Sequence, residues 1–420
     1  MVINIANFNF GGDGGGGGKP ALLQEKTATI VQNGSQTITP DEGFDGMSSV
    51  QINAAITGDS SAIDFSSIGY DAEFSTELNA VFNNDVAYSK TLYDAWNPNN
   101  TSAEGLYSGD KKIVYAPNID ISNVTMTYAM FSGCTKLTTV PFYDTSNVEN
   151  FNFMFEGCPN LITVPAFDTS KGFSMNGMFN SCSSLTSVPE FDTSHSNYMN
   201  SMFSKCYLLT TVPLYDTSNV NEMSSMFSNC SGLTSVPLFD TSNVTKMDYM
   251  FYGCKSLTTI PAFNTSKVNT MQQMFSGCTS LTSVPELDTS NSSLYNIFND
   301  CKSLTTIEGI SFKSFTEQSM YNSYLFGWGT NYSIRKAVFK DIGYNSNTKK
   351  FDMSYIANWG VNTDEIPDAR QSVIDSLITY SFDRAAAGYP TCTITLSTNT
   401  KALLTSDEIS QIEAKGFTIA

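Results

Sequence analysis

The 420-residue sequence contains one histidine, His195. That excludes sites needing several, such as a histidine zinc cluster, and leaves one place for an imidazole base. His195 stands where other copies of a repeat carry Asn or Lys, so it reads as a surface variant. Charge is scarce, 15% of residues, and one-sided: 22 Lys and Arg against 40 Asp and Glu, a net −18. A chain so poor in basic residues cannot build a phosphate-neutralising face, which excludes nucleic acid and anionic membrane as partners. No run of about 18 apolar residues occurs, so no membrane insertion is expected. The opening MVINIANFNF has no basic start, no long apolar core and no cleavage-site pattern, so a classical export signal is not expected there.

What the sequence has in abundance is periodicity. Cysteines fall at Cys134, Cys158, Cys182, Cys206, Cys230, Cys254 and Cys278, 24 residues apart, and Cys301 follows after 23. In phase with them run Met-Phe pairs from Met130-Phe131 to Met274-Phe275, ending as Ile297-Phe298. Leucines run from Leu137 to Leu304, and prolines from Pro141 to Pro285. A fixed period of this size predicts a β-rich, leucine-rich-repeat-like solenoid of eight coils of about 24 residues. Each coil is expected to hold a Met-Phe turn, a Leu-Thr-Ser-Val strand and a proline corner.

The repeat decides the chemistry of its own residues. In-register cysteines a coil apart give parallel Cβ vectors, unsuited to disulfides, and do not converge on a metal. They are expected to be reduced and buried. Asp144, Asp168, Asp192, Asp216, Asp240 and Asp288 each precede Thr-Ser, which is Asx-turn chemistry. Asn264 takes the same position in one coil, where it caps a turn but makes a poor calcium ligand. Gly11–Gly18 lacks the Lys-Ser ending of a phosphate loop. No catalytic residue, metal or cofactor is expected.

Ahead of the repeats, Ile3, Ile5, Phe8 and Phe10 form a short apolar peptide joined to a glycine-rich run. Residues 1–24 read as a docking peptide on a tether, with a disordered tail as the alternative. Residues 25–58 read as a small β module of three or so strands, with Asn33-Gly34 as a hairpin turn. Residues 59–118 read as an N-terminal cap, helical over Asp71–Trp96 and with Lys112–Tyr115 as the first stacking strand. The solenoid is placed at 119–310 and a C-terminal α/β cap at 311–420. In that cap a helix is expected over Ala369–Ala387 and a strand over Cys392–Leu396. A second helix starts at Thr405 and shields the last coil.

Two resemblances add to this. Ile38-Thr39-Pro40-Asp41-Glu42-Gly43-Phe44-Asp45-Gly46, continuing to Val50-Gln51-Ile52-Asn53, resembles a short module of bacteriophage tail and fibre proteins and of surface proteins of gut Bacteroides. The stretch Asp240-Thr241-Ser242-Asn243-Val244-Thr245-Lys246-Met247-Asp248-Tyr249-Met250-Phe251, running on to Cys254 and Leu257, resembles the BspA-type leucine-rich repeat family. That resemblance implies a one-sided solenoid used for surface attachment, without catalytic residues.

Recognition is expected at positions that the repeat leaves variable. These are Phe153, Tyr198, Asn200, Glu222, Lys246, Asp248, Tyr249, Gln272 and Gln273, where aromatics and amides suit a glycan or a protein. The functional expectation is a non-catalytic bacteriophage appendage on the virion surface. Its N-terminal segment would dock on other virion proteins, and its solenoid would face a host-surface glycan or protein. A homo-oligomer is compatible with this reading. The alternatives are a BspA-like adhesin on a bacterial cell surface and a glycan-active enzyme.

Overall fold

The structure is a computed structural model. It describes backbone at 2–4, 26–31, 37–40, 50–54, 350–352 and 367–370. It describes residues in full at 96–313 (except 115 and 118), 336–342, 344, 371–396 and 401–420. The glycine-rich run, Ile5, Phe8, Phe10 and nearly all of the helix expected over Asp71–Trp96 lie outside the described residues. The chain forms two units, 1–172 with 182–191 and 173–181 with 192–420.

In the first unit, β1 (Val2–Asn4), β2 (Lys26–Val31), β3 (Thr37–Pro40) and β4 (Val50–Ala54) make one sheet, ordered β1-β4-β2-β3. The expected hairpin is present, with β2 antiparallel to β3, Val31 opposite Thr37. Strand β1 adds to the free side of β4, with Ile3 opposite Ile52. The N-terminal peptide, read from sequence as separate from the module, thus supplies its edge strand.

Stacked coils follow in the same unit. Single parallel bridges join Ser102 to Met126 and Met126 to Asn150. Rings stack from Tyr107 to Phe131 (5.4 Å) and on to Phe155 (5.6 Å). The coiling therefore begins before residue 119, the boundary drawn from sequence. The early turn is disguised by Tyr107 in the Phe position, Asp110 in the Cys position and Ile113 in the Leu position.

The second unit repeats the pattern. Parallel bridges run Ser174–Tyr198–Glu222–Lys246–Thr270–Ser293. Phe179, Phe203, Phe227, Phe251, Phe275 and Phe298 form a ring stack at 5.7–5.9 Å, every pair within about 10° of parallel. Met, Phe, Cys and Leu rows are fully buried in both units, so each coil hides its apolar side chains between its neighbours. The inward leucine row makes both arrays leucine-rich-repeat-like.

The expected Leu-Thr-Ser-Val strand is realised as β5 (Ser283–Val284). In most coils that segment makes a lone backbone bond to the coil before it, such as Thr234 N to Thr210 O (3.0 Å). Left-handed residues bend the neighbouring Met-Phe turn, where the coils are joined by single bridges. Tyr249 has φ 56° and Gln273 φ 53°, and a second row runs through Asn229, Gly253 and Gly277. A backbone that bends this often cannot keep two consecutive strand bonds.

Each of the eight cysteines of the repeat row has a defined bond. Its thiol donates to the backbone carbonyl of the aromatic residue in the preceding coil. The pairs are Cys134 to Tyr107 (3.1 Å), Cys158 to Phe131 (3.1 Å) and Cys182 to Phe155 (3.1 Å) in the first unit. In the second unit they are Cys206 to Phe179 (3.2 Å), Cys230 to Phe203 (2.9 Å), Cys254 to Phe227 (3.1 Å), Cys278 to Phe251 (3.0 Å) and Cys301 to Phe275 (3.0 Å). All are free thiols. Burial pushes the Cys182, Cys230 and Cys278 thiols up to about 12.

The aspartates cap turns. Asp216 Oδ1 accepts from Ser218 N (3.0 Å) and Ser218 Oγ (2.7 Å), and Asn264 makes the same pair with Ser266. The following threonine is buried and ties coils together, as Thr217 Oγ1 does on Asp240 O (2.8 Å). Thr265 is the exception, with its hydroxyl unpaired, and it faces the coil that is one residue short. Asp216→Ala is expected to cost about 1 kcal/mol in urea denaturation, because two hydrogen bonds at an exposed turn are lost. Asp216→Asn should keep most of that, as Asn264 does. Equal destabilisation by both would show that charge, not capping, matters.

At the C-terminal end, β5 pairs with β6 (Thr306–Ser311), and β6 with β7 (Lys336–Lys340), all parallel. Helix α1 (Pro367–Thr379) packs on β7. Its Ser372 and Ser376 hydroxyls accept from Ala337 N (3.2 Å) and Phe339 N (3.1 Å). These are the outward N–H groups of the last strand, so the edge is closed by side chains. The expected shield was the later helix, α2 (Ser406–Ala414), which does start on Thr405 with a capping box to Glu408. It packs instead on α1 and on β10 (Phe417–Ile419). β10 joins β9 (Cys392–Thr395) and β8 (Lys350–Asp352) in a parallel sheet.

Candidate recognition face

The bridge row fixes which side chains face outwards. Met199, Met223, Met247 and Met271 follow the bridge residues and point into the core, fully buried. The bridge residues Tyr198, Glu222, Lys246 and Thr270 therefore stand on the opposite side, one per coil. The next two positions outward carry Asn200, Asp248 and Gln272, then Tyr249 and Gln273. Eight of the nine residues expected to recognise a partner thus lie together on consecutive coils of the second unit. Phe153 lies in the first unit at φ 57°, edge-on to the Tyr128 ring at 5.6 Å.

Hydrogen bonds sort the eight by role. Asn200 Oδ1 accepts from Ser224 N (2.8 Å), and Asp248 Oδ1 accepts from Gln272 N (3.0 Å) and from Thr270 Oγ1. These two side chains serve the backbone of the next coil and are largely structural. Lys246 Nζ pairs with Glu222 Oε1 at 2.8 Å, and Asn200 Nδ2 donates to Glu222 Oε2 at 3.0 Å. The Lys246 bond holds the Glu222 carboxyl below the usual range against the raising effect of burial. Gln273 Nε2 donates to Tyr249 OH (3.3 Å), and the Tyr252 ring sits edge-on to Tyr249 at 6.0 Å. Gln272 Nε2 reaches Ser293 Oγ (3.4 Å). Tyr198 and Tyr249 keep 39% and 36% of their surface exposed.

Two features of the surface escaped the sequence reading. Tyr295 is 38% exposed and belongs to the Asp248–Gln272 row, but the one-residue deletion hides its register. On another side, Leu214 and Leu238 stand 61% exposed between each proline and the inward aromatic. That position carries Phe, Ala, Glu, Leu, Leu, Ala and Glu in successive repeats, so it gives no periodic signal.

His195 is exposed, with Nδ1 3.2 Å from Ser194 Oγ. Among the described residues no group of three or more His, Cys, Asp or Glu could hold a metal ion. No described helix is long and apolar enough to cross a membrane.

Comparisons with solved structures give weak likenesses. A leucine rich cell surface protein from Faecalibacterium prausnitzii A2-165 is 17% identical over 61% of this chain and 79% of its own, at TM-score 0.24. The TLR13–ssRNA13 complex is 15% identical over 62% of this chain and 44% of that one, at TM-score 0.23. The plant peptide hormone receptor RGFR1 in complex with RGF2 is 11% identical over 74% and 59%, at TM-score 0.22. The chain thus spans less than two thirds of the latter two. Scores this low carry no weight for fold or function. No curated protein matches the sequence. A family profile matches three overlapping stretches, 100–212, 125–235 and 209–310. They begin at the early coil and jointly span 100–310, just over half of the 420 residues, and the chain belongs to the family described as Mycoplasma protein of unknown function, DUF285.

Proposed function

We propose that the chain is a non-catalytic recognition scaffold of a bacterial cell surface, an adhesin whose coils present one variable face to a partner. One observation carries this. The residues that the repeat does not fix converge on consecutive coils, while the residues it does fix are spent on the core, the turns and the thiol bonds. A surface that varies on a rigid, repeated frame is how solenoids recognise partners. The resemblance of the repeat to the BspA-type family supports the cell-surface placement over the virion. The virion reading rests on the features of the N-terminal segment: no classical export signal, a glycine-rich tether and a phage-like module, in whose sheet β1 is paired with β4.

The test is adsorption of the full-length protein to a panel of bacterial and epithelial cells. The triple variant Tyr198→Ala, Lys246→Ala and Tyr249→Ala is expected to lose at least about tenfold in binding, about 1.4 kcal/mol. Its thermal unfolding should be unchanged, because all three side chains are exposed. Undiminished adsorption would remove the face from the proposal. Protease shaving of producing cells tests the location: release of the chain from intact cells is expected, and co-purification with virions would overturn it.

A further inference from the structure

We propose that the face from Tyr198 to Tyr295 binds an uncharged, extended, β-1,4-linked glycan laid across successive coils, one sugar ring per coil; this rests on the reading of that face as the recognition surface.

Three observations lead there. The first is charge. Lys246 is paired with Glu222 at 2.8 Å, and the Asp248 carboxylate accepts from Gln272 N and Thr270 Oγ1. Lys246 and Glu222 neutralise each other, the Asp248 carboxylate is held by two neutral donors, and the chain as a whole carries −18. An anionic ligand meets repulsion, and a cationic one must displace Lys246. A neutral ligand does neither.

The second is composition. The three outward rows hold tyrosines, amides, hydroxyls and the paired charges, with no aliphatic side chain. A protein interface of standard size needs an apolar core. The exposed leucines that could supply one, Leu208, Leu214 and Leu238, lie outside these three rows. Sugars need the opposite: flat aromatic surface for their C–H faces and fixed polar groups for their hydroxyls.

The third is spacing. Neighbouring coils stack at ~4.8 Å, the strand repeat, and an extended pyranose chain advances by a similar step. Tyr198, Tyr249 and Tyr295 lie on every second coil, as the bridges Tyr198–Glu222–Lys246–Thr270–Ser293 place them. In a β-1,4-linked chain every second ring turns the same face to one side. The periods of tyrosine and sugar therefore coincide along the array, with Tyr198 in the bridge row and Tyr295 and Tyr249 two and three positions beyond a bridge residue, so the sugar chain runs obliquely across the three rows. Tyr249 is held for the purpose by Gln273 on its hydroxyl and Tyr252 at its edge.

The test is calorimetric titration of the full-length protein with cello- and chito-oligosaccharides, from disaccharide to hexasaccharide. Affinity is expected to rise with length and level off at the pentasaccharide, which spans the coils of Tyr198 to Tyr295. It should be the same at low and high salt. Tyr249→Ala should weaken the pentasaccharide at least tenfold, and Tyr198→Ala or Tyr295→Ala should move the plateau to shorter chains, all with unchanged thermal unfolding. No heat with either series, affinity independent of length, or loss of binding at high salt would each overturn the proposal. Cell adsorption provides the separation from the parent reading. Adsorption that depends on Tyr198 and Tyr249 but survives periodate oxidation of surface glycans keeps the face and overturns the glycan. Adsorption abolished by periodate supports it.

Discussion

Raising the pH from neutral to about 10 is expected to unfold the coil array of the second unit, and buried thiols are the reason. In the native state burial pushes the Cys230 and Cys278 thiols up to about 12 and the Cys254 and Cys301 thiols well above their ordinary value. The thiol proton is also in use, donated to the carbonyl of a phenylalanine one coil back. In the unfolded chain the same thiols titrate near their ordinary value of about 8.5. Above that pH the unfolded state has released protons that the native state retains. Stability therefore falls as pH rises, and continues to fall until the native thiols themselves titrate. At pH 10 each thiol contributes a loss of about 2 kcal/mol, and four of them about 8 kcal/mol, comparable with the whole stability of a typical domain. Below about pH 8 the contribution is fully present and constant.

Urea denaturation at pH 7, 8.5 and 10 measures this directly. Cys254→Ser supplies the internal control. It should be less stable than the parent at pH 7, because a more polar hydroxyl replaces a well-packed thiol. The gap should narrow at pH 10, where serine has no proton to lose. In the folded protein at pH 8, a thiol reagent should label the cysteines slowly, at the rate of opening, and immediately after urea is added. Rapid labelling without denaturant, or identical midpoints at pH 7 and 10, would contradict the burial of the row.

The burial of these cysteines was legible in the sequence because an in-register period leaves stacked residues no opposed partner and no converging ligands. Their hydrogen bond was not. Nothing in the spacing of Cys254 from Phe227 tells that a thiol and a carbonyl meet, since that depends on how one coil is offset from the next. Turn capping by aspartate was legible, because Asp-Thr-Ser is a local motif and Asn264 discriminates capping from metal binding. The start of the array was not, because Tyr107, Asp110 and Ile113 replace three diagnostic residues while Pro117, Asp120 and Val124 quietly keep the period.

Strand content was overestimated for a related reason. Leu-Thr-Ser-Val has strand composition, but in most coils it makes one backbone bond to the coil before it, and the Met-Phe turn bends on left-handed residues such as Ser225, Tyr249 and Gln273. These are not glycine, so the sequence carries no mark of the bend; the strain is supported by the neighbours on either side. The same bend sets Tyr249 and Gln273 together on the face. That these variable positions lie together on consecutive coils was legible from the period, but their pairing, Lys246 on Glu222 and Asp248 on Gln272 N, required the coil offset.

Phe227→Ala is expected to be the most damaging single truncation in the second unit, and to change the form of unfolding as well as its midpoint. The ring is fully buried and stacks on Phe203 at 5.8 Å, Phe251 at 5.7 Å and Phe239 at 6.1 Å. Truncation leaves a cavity between coils that are held at a fixed spacing by backbone bonds, such as Phe227 N to Met250 O (2.9 Å). Because that spacing is held, the neighbours cannot collapse into the gap. The cost should reach the upper part of the usual range for phenylalanine truncation, about 3–5 kcal/mol. The backbone carbonyl that receives the Cys254 proton is untouched, so the loss belongs to the ring alone. In a repeat array, stability is a sum of coil terms and nearest-neighbour interfaces. Phe227 sits at the middle of the stack, so weakening its interfaces uncouples the coils on either side. A single cooperative transition in calorimetry should split into two. Phe227→Leu, which refills most of the volume without the ring stack, should cost about 1–2 kcal/mol and keep one transition. A single sharp transition for Phe227→Ala, shifted no further than that of Phe227→Leu, would mean that the aromatic column is not what couples the coils.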